Sequence, residues 1–225
     1  HLINEVYSKF GFKYFVELST RPEDSMGSDE DWEAATNGLK TALEKIGLPY
    51  IVNEGDGAFY GPKIDFHLED TLGRTWQCGT IQLDFQMPLN FGLEYVDENG
   101  ERQRPIMVHR VVYGSIERFI GILIEHFAGK FPTWLCPEQV RVLPISEKYM
   151  DYAHQVEAKL KENGILCTVD NRSEKIGYKI RETRLARVPY MLVVGQKEAE
   201  EGLVSVRSRF AGDEGQKTLD EFIDA

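Results

Sequence analysis

The sequence predicts an α+β region with an antiparallel sheet, followed by a small α/β domain with a mainly parallel sheet. Two strand-like segments at 63–69 and 74–85 flank a turn sequence, which is typical of an antiparallel hairpin. Strands and helices alternate in the C-terminal part, as in parallel sheets with helical connections. A segment at 131–137 with two prolines around apolar residues separates these patterns, so we predict domains at 1–136 and 137–225.

The composition indicates a water-soluble protein with a substantial core. Of the 225 residues, 42% are hydrophobic and 28% are charged, and no apolar run approaches the roughly 20 residues that cross a bilayer. We therefore expect no membrane association. The three widely spaced cysteines, Cys78, Cys136 and Cys167, indicate reduced thiols and a cytoplasmic protein. The net charge of −11 argues against a nucleic-acid binder that acts through charge alone.

Periodicity and capping residues predict the remaining elements. In the first region we expect a helix ending at residue 10, a strand at 13–18, a helix starting at Ser28 and ending at residue 46, and a strand at 50–53. In the second region the pattern predicts strands and helices in alternation and a final helix, with strands at 140–145, 165–169, 190–194 and 203–209 and helices at 147–163 and 176–186.

The second hairpin strand has one polar and one largely apolar face. With a period of two, the polar face comprises Trp76, Cys78, Thr80, Gln82 and Asp84. The other face comprises Gln77, Gly79, Ile81, Leu83 and Phe85. A face with a thiol, a hydroxyl and an amide suits a sheet that lines a ligand site, and a solvent-facing sheet surface is an equally good interpretation.

A glycine-containing loop at 57–63 precedes the first hairpin strand. Its glycines allow the backbone to approach a ligand closely, Tyr60 offers a ring and a hydroxyl, and Lys63 offers a positive charge for a carboxylate or phosphate. By itself, such a Gly-Pro segment is more often an ordinary turn.

The segment at 106–119 predicts a buried strand that ends at Gly114 and a helix that extends to residue 127. Ser115 is placed as the helix N-cap, and the exposed N–H groups of such a helix end attract phosphate. Arg118 in the first turn can bind phosphate oxygens or stack on a base. The alternative is a capped surface helix. His109 in the strand is a candidate metal ligand or a hydrogen-bonded core residue, and a metal would need ligands from elsewhere.

The second region contains the one basic patch of the chain, between Arg172 and Arg187. This segment has six Lys and Arg residues against Glu174 and Glu182, whereas residues 1–136 have 12 basic against 21 acidic residues. Basic helices and exposed sheet faces read RNA loops through stacking and base-edge hydrogen bonds. A solvated charged helix beside an ordinary edge strand is at least as good an interpretation.

Four long motifs, GAFYGPKIDF, RTWQCGTIQLDF, VHRVVYGSIERFIG and NRSEKIGYKIRETRLARVPYMLVVG, resemble the threonyl-tRNA synthetase family of class II aminoacyl-tRNA synthetases. The resemblance covers essentially the whole chain, and the motifs occur in the family's order and spacing. It implies the carboxyl-terminal half of such an enzyme, which is the later part of the catalytic domain and then the anticodon-binding domain.

The resemblance implies a role for each matching residue. Lys63 and Arg118 match catalytic positions, and the ATP-binding positions are Gln77, Thr80, Ser115 and Arg118. The positions that line the threonine pocket are Tyr60, Cys78 and Gln82. His109 matches one of three protein ligands to zinc. The positions that read the anticodon are Arg187, Glu198 and Arg207.

The implied activity is a threonine–tRNA ligase that activates threonine with ATP and transfers it to tRNA(Thr). The implied cofactors are Zn2+ and the Mg2+ of Mg-ATP, and the implied partners are tRNA(Thr), threonine, ATP and a second subunit of a homodimer. The first two class II motifs, two zinc ligands and the editing region have no match, so we expect a fragment without full activity. The alternative is a non-catalytic tRNA-binding or regulatory relative. A class II enzyme for another amino acid is disfavoured by Cys78 together with His109.

Overall fold

The computed structural model describes residues 1–224, and the chain divides after His126 into two units that are described separately. The first unit extends from His1 to His126 and the second begins at Phe127. The domain boundary after Cys136 stays a prediction. No helix in the described residues is long and apolar enough to cross a membrane.

The first unit contains four helices and seven strands within its described residues. In chain order these are α1 Leu2–Phe10, β1 Lys13–Ser19, α2 Asp29–Ile46, β2 Ile51–Asn53, β3 Lys63–Glu69, β4 Thr75–Asp84, α3 Gln86–Asn90, β5 Tyr95–Val96, β6 Arg102–Gln103, β7 Met107–Val111 and α4 Ile116–His126. The elements that the sequence predicts all form, with ends shifted by a few residues. The prediction that the strand at 106–113 is buried is wrong, because β7 lies at the edge of its sheet and Val108 is 59% exposed. The Ser28 hydroxyl accepts a hydrogen bond from the Asp31 N–H at 3.1 Å, as an N-cap should.

Five of these strands form one sheet in the order β2-β1-β3-β4-β7. The pairings of β1 with β3, β3 with β4 and β4 with β7 are antiparallel, so the predicted antiparallel sheet is confirmed. One face of the sheet packs into a core that includes Val16, Leu18, Ile64, Phe66 and Leu68. Burial of these apolar side chains is the main stabilising contribution to this unit.

A β-bulge interrupts the pairing of β3 with β4. Phe66 lies opposite Gly79 and His67 lies opposite Gln77, so Cys78 is an extra residue on β4. A bulge changes which face the following residues point to. Our period-two assignment placed Gln77 on the face opposite Thr80 and Trp76 on the same face as Thr80. Both placements are wrong, because the bulge puts Gln77 on the Thr80 face and Trp76 on the Leu68 face.

The second unit contains helices, strands and two 3-10 turns. In chain order these are the 3-10 turn Thr133–Leu135, β8 Val140–Pro144, the 3-10 turn Glu147–Tyr149, α5 Met150–Glu162, β9 Cys167–Val169, α6 Ile176–Leu185, β10 Tyr190–Val194, α7 Gln196–Glu201, β11 Leu203–Ser208, β12 Gly212–Thr218 and α8 Leu219–Ile223. The core contains valines and leucines of the sheet with the inner face of α5, including Val142, Leu192, Val206 and Leu160.

The second sheet is mixed, with strand order β12-β11-β10-β8-β9. The strands that helices connect, β9, β8 and β10, pair in parallel as predicted. The two last strands run antiparallel, because β11 is followed by a short hairpin to β12. The expectation of a mainly parallel sheet missed β12, since the segment at 212–218 is polar and contains two glycines. The short helix α7 was also not predicted.

Candidate functional site

Polar side chains of the first unit are aligned in rows across the sheet. Lys63 on β3 is in register with Gln82 on β4, which is in register with His109 on β7. The next row on the same face contains Asp65 and Thr80. The register therefore brings together residues that are far apart in the sequence and that the sequence analysis selected one by one.

Asp65 is the centre of the largest group of polar contacts on this face. Its carboxylate has no exposed surface and accepts hydrogen bonds from the Ser19 and Thr80 hydroxyls at 2.9 Å each. The Gln77 amide donates to it at 2.5 Å, and the Lys63 ammonium lies 2.8 Å away. A buried carboxylate requires such partners. We call these five residues the Asp65 cluster.

Sequence analysis missed Asp65 as a functional residue. In the pattern of β3 it alternates with apolar residues, in the same way as the solvent-facing residues of an ordinary sheet. The available signal was that Lys63, two residues earlier, lies on the same face and brings a positive charge. Burial of Asp65 depends on packing, which the period of the strand does not show.

Lys63 is fixed between two carboxylates. Its ammonium lies 2.8 Å from Asp65 and 3.1 Å from Asp56, and only 11% of its side chain is exposed. Burial by itself lowers the pKa of Lys63, but the hydrogen bonds and charges of Asp65 and Asp56 outweigh it and raise the pKa above its ordinary value. Lys63 therefore remains a cation throughout the physiological pH range.

The loop before β3 has room only for glycine at two positions. A Cβ on Gly61 would lie 1.7 Å from the Leu83 carbonyl oxygen, and one on Gly57 would lie 2.4 Å from the Thr20 carbonyl oxygen. Backbone atoms cannot move aside as a side chain can, so the two glycines allow the loop to lie against the sheet. This contact places Tyr60 beside the polar face.

A second group of contacts lies at the other end of the face. The buried Asp84 carboxylate accepts the N–H groups of Gln86 and Met87 at 2.9 Å each and lies 2.9 Å from His109 Nε2. The rings of Tyr60 and His109 are 5.7 Å apart. Asp84 therefore fixes the orientation of His109.

Tyr60 connects the loop to Gln82. Its hydroxyl donates a hydrogen bond to the Gln82 side-chain oxygen. Burial raises the pKa of Tyr60, and the nearby Asp84 carboxylate raises it further, so the hydroxyl stays protonated at neutral pH. The structure thus brings together Tyr60 and Gln82, two of the three residues that the resemblance assigned to the threonine pocket, with His109, which it assigned to zinc.

The residues of this chain do not by themselves form a zinc site. Within residues 1–224, no group of three or more His, Cys, Asp and Glu side chains is placed to bind a metal ion. His109 has one carboxylate partner, Asp84, whereas a catalytic zinc site requires three protein ligands.

The turn before α4 brings Arg118 to the bulge of β4. Gly114 has φ 67°, and a Cβ there would lie 2.9 Å from the Cys78 carbonyl oxygen. The Arg118 guanidinium donates a hydrogen bond to the Gln77 carbonyl oxygen. Because the Gln77 side chain also bonds Asp65, Arg118 is linked to the Asp65 cluster through a single residue.

Ser115 contacts Arg118 as the sequence predicts, but weakly. Its hydroxyl accepts the Arg118 N–H at 3.4 Å and donates to the Glu117 carboxylate at 2.9 Å. The Glu117 carboxylate also accepts its own backbone N–H, and these hydrogen bonds lower its pKa. The exposed Arg118 guanidinium is therefore the group of this turn that can bind an anionic ligand.

Cys78 lies inside the protein, at the Arg118 end of the site. The residue is only 2% exposed, and burial raises the pKa of its thiol, an effect that the Arg118 charge partly opposes. The buried Tyr7 hydroxyl also lies near Cys78, and it donates a hydrogen bond to the Val112 carbonyl oxygen at 2.6 Å. Cys78 is therefore a protonated, internal thiol.

In the second unit, Glu198 is held by three hydrogen bonds. Its carboxylate accepts from Ser205 and Gln216 at 2.7 Å each and from the Gly195 N–H at 3.0 Å. Burial alone would raise the pKa of Glu198, but these hydrogen bonds outweigh it and lower the pKa below its ordinary value. Glu198 is therefore an ionised, oriented acceptor.

Arg207 and Arg187 have different surroundings. Arg207 lies on the same face of β11 as Ser205 and pairs with Asp213 on β12 at 2.7 Å. Arg187 is exposed and follows α6, and its carbonyl oxygen accepts a hydrogen bond from Arg209 at 2.6 Å. Register thus places Arg207 near the Glu198 contacts, whereas Arg187 belongs to another part of the unit.

Comparison with protein families assigns both units. Residues 1–127 match the tRNA synthetase class II core domain of the glycine, histidine, proline, serine and threonine enzymes. The chain belongs to the class II aminoacyl-tRNA synthetases. Residues 139–225 match the anticodon-binding domain, so this class II synthetase chain has both a core and an anticodon-binding part, as the resemblance implies.

The sequences most similar to this class II chain include bacterial threonine–tRNA ligases. The enzyme of Clostridium tetani is 68% identical over 222 residues, which is 99% of this chain and 35% of that protein. The enzyme of Clostridioides difficile is 65% identical over 223 residues, also 99% of this chain and 35% of that protein. The predicted resemblance to threonyl-tRNA synthetases is confirmed, and the chain spans about a third of the length of these relatives.

Solved structures support the same assignment. The RNA binding domain of threonyl-tRNA synthetase from Cryptosporidium parvum has a TM-score of 0.92 and 45% identity, covering 99% of this chain and 56% of that one. A threonyl-tRNA synthetase, ThrRS-1, from Aeropyrum pernix has a TM-score of 0.69 and 30% identity, covering 92% of this chain and 52% of that one. Prolyl-tRNA synthetase from Cryptosporidium parvum, at 21% identity and TM-score 0.62, shares the fold.

Proposed function

We propose that this chain is the carboxyl-terminal portion of a threonine–tRNA ligase, containing part of its active site and its anticodon-binding domain, with the boundary after Cys136. The observation that carries the proposal is the set of contacts joining Lys63, Asp65 and Gln77 on one sheet face, which Arg118 of α4 reaches through the Gln77 carbonyl oxygen. The similarity of the whole chain to threonine–tRNA ligases supports the choice of amino acid.

In the proposed reaction, the threonine carboxylate attacks the α-phosphorus of ATP, and the bond to pyrophosphate breaks. Lys63 and Arg118 act as cations that neutralise the charge developing on the phosphate oxygens. Gln77 and Thr80 orient the nucleotide, and Ser115 contributes to the adenosine site. Mg2+ supplies further charge neutralisation when it is bound with ATP. The acyl group then transfers from the adenylate to the terminal ribose of tRNA(Thr).

The residues are suited to this chemistry because their positions are fixed before substrate arrives. Asp65 holds Lys63, Gln77 and Thr80 at hydrogen-bonding distance, so little reorganisation is needed during the reaction. Asp65 is thus proposed as a positioning residue.

Threonine is proposed to bind near Tyr60, Gln82 and Cys78, with His109 as one ligand of a zinc ion. Such an ion would bind the threonine hydroxyl and amine and so discriminate against valine. Since this chain supplies one histidine and its carboxylate partner, the other two ligands would come from the rest of the enzyme. The contributions that this chain makes are the orientation of His109 by Asp84 and the Tyr60 hydroxyl contact to Gln82.

In the second unit, Arg187, Glu198 and Arg207 are proposed to read the anticodon of tRNA(Thr). Glu198 is an oriented acceptor and Arg207 an exposed donor, which are groups that recognise base edges. The complete enzyme is proposed to be a cytoplasmic homodimer. A non-catalytic tRNA-binding relative that retains the fold is the second candidate.

The proposal is tested by Arg118→Ala in the complete parent enzyme, assayed by threonine-dependent ATP–pyrophosphate exchange. We expect the exchange rate to fall by about 100-fold or more, since a charge that stabilises the transition state is removed. Arg102→Ala is the matched control, because Arg102 is exposed and pairs with Glu94 outside the site.

An unchanged rate in Arg118→Ala would reject the catalytic assignment. A parent enzyme that shows no exchange but binds tRNA would favour the non-catalytic relative. We expect this 225-residue chain alone to show no robust exchange.

A further inference from the structure

A positively charged cavity lies in the second unit. It has a volume of about 450 Å³, and its basic lining residues are Lys130, Arg184, Arg187 and Arg209. No Asp or Glu is among the described residues that line it. We call it the cation cavity and refer to these four residues as its members. The resemblance and the comparisons assign no ligand to the cavity as a whole.

The four cations differ from most of the other arginines in this unit. Arg141, Arg172 and Arg207 each form an ion pair with a nearby carboxylate. Within residues 127–224, no ion pair neutralises any member of the cation cavity, although Asp and Glu residues are numerous in the unit. Four like charges around one cavity repel one another, so an anionic ligand would bind there favourably.

The backbone around the cavity is held in a specific arrangement. The half-buried Arg209 donates to the Arg187 carbonyl oxygen at 2.6 Å and to the Phe131 carbonyl oxygen. Arg187 has φ 59°, a left-handed conformation that is rare for residues other than glycine. A Cβ on Gly129 would lie 2.5 Å from Arg187 Nη1, so glycine is needed there for this side-chain position. The position of the Arg187 and Arg209 side chains in the cavity therefore depends on these hydrogen bonds, on the left-handed backbone at Arg187 and on the glycine at position 129.

An exposed aromatic ring borders the cavity. Phe210 is 61% exposed, and the Arg209 guanidinium lies over its ring at 5.0 Å. Sites for single-stranded nucleic acid combine cations for the backbone with exposed rings on which bases stack. A free inorganic anion would use the cations but would gain nothing from the ring.

We propose that the cation cavity binds backbone phosphate of RNA, with Lys130 and Arg184 contacting phosphate oxygens and Arg209 holding the cavity's shape. The inference rests on the proposed function, since it takes RNA as the partner of this unit and leaves Arg187 its role in reading the anticodon. A phosphate contact adds affinity for any RNA sequence, whereas a base contact adds preference for one sequence. Lys130 and Arg184 are thereby expected to add affinity without sequence preference.

The test measures RNA binding by fluorescence anisotropy with the 225-residue chain at several salt concentrations. The probes are a stem-loop with a threonine anticodon and the same stem-loop with a permuted anticodon. The test variant is Lys130→Gln with Arg184→Gln. The control is Lys159→Gln with Lys161→Gln, which removes two exposed charges from α5 that pair with Asp220 and Glu157. Circular dichroism melting verifies that both variants fold.

We expect the test variant to bind both stem-loops about tenfold more weakly at moderate salt, by the same factor for each. The slope of log affinity against log salt should become less steep by about 1.5, because two phosphate contacts are lost. The control variant should keep the wild-type affinity and slope. These results together would support the phosphate site.

Three results of the RNA-binding measurements would overturn the phosphate site. They are an unchanged salt slope in the test variant, an equal change in the control, and loss of binding to the threonine anticodon alone. Inorganic phosphate bound by a chain that binds no RNA would also overturn it, and would indicate a small-anion pocket. Failure of the proposed function is distinguishable, because it appears as absent pyrophosphate exchange in the parent enzyme or as no anticodon preference in the wild type.

Discussion

The two units of the chain use positive charge in opposite ways. In the first unit, Lys63 lies between Asp65 and Asp56, and its charge is largely neutralised before any ligand binds. In the second unit, the cation cavity has no carboxylate among its described lining residues. A paired cation is fixed in position, which suits a reaction that requires geometry. An unneutralised group of cations retains a strong field, which suits capture of a polyanion and is sensitive to salt.

The largest expected effect tests whether pairing really fixes Lys63. Asp65→Asn removes a buried carboxylate and leaves Lys63 with the exposed Asp56 as its only acidic partner. Breaking a buried ion pair typically costs about 3 kcal/mol or more, and we expect the free energy of unfolding to fall by about that amount. Urea unfolding followed by circular dichroism measures it.

The matched control for that change is Asp56→Asn, which removes the other carboxylate of the same lysine. Asp56 is 55% exposed, so we expect a loss below about 1 kcal/mol. Similar losses for the two variants would show that burial of Asp65 has no special importance, and the contrast between the units would then disappear.

The second prediction concerns how the stability contributed by the Lys63 ion pairs depends on pH. The pKa of Lys63 in the folded protein lies above 10.5, its ordinary value. The stability that its ion pairs contribute is therefore complete below about pH 10.5 and is lost as the pH rises through the folded-state pKa. We expect the difference in unfolding free energy between wild type and Lys63→Met to shrink over that range.

The measurement is urea unfolding of both proteins at a series of pH values between neutral and strongly alkaline. Tyrosines and cysteines also titrate at high pH, but they are present in both proteins and cancel in the difference. A difference that stays constant through the alkaline range would contradict the assigned ion pairs.

The smallest effect addresses the second unit, where a strained backbone supports the cavity. Arg187→Gly should raise the free energy of unfolding by roughly 0.5–1 kcal/mol, because glycine adopts φ 59° without strain. Arg184→Gly, in the last turn of α6, should lower it by up to about 1 kcal/mol. Thermal or urea unfolding of the two variants checks the opposite signs, and a loss of stability in both would show that Arg187 is not strained.

Local patterns in the sequence were sufficient to predict most elements and the separate candidate residues. Turn residues and alternation predicted the hairpin of β3 and β4, and the Ser28 cap predicted the start of α2. These features depend on residues within a few positions of one another. The family resemblance assigned roles to residues that local patterns left open, such as Glu198.

The features that the sequence did not predict arise from contacts across the sheet. The alternation of polar and apolar residues cannot reveal that Cys78 is an extra residue on β4, because a bulge is defined by the pairing with the partner strand. Asp65 looked like a surface residue of β3, and its burial results from Ser19, Gln77 and Thr80 packing around it. Strand β12 was missed because its polar residues carry little β-propensity and are stabilised by pairing with β11.

The bulge at Cys78 also limits how far β4 can be treated as an interchangeable part. A protein engineer who transplanted this strand, with Cys78, into a sheet of regular alternation would turn Gln77 away from Asp65 and shift the backbone carbonyl to which Arg118 donates. Every catalytic side chain would still be present in the edited sequence. Their arrangement depends on the one extra residue of the bulge. The strand can therefore be transferred to another sheet only together with its bulge.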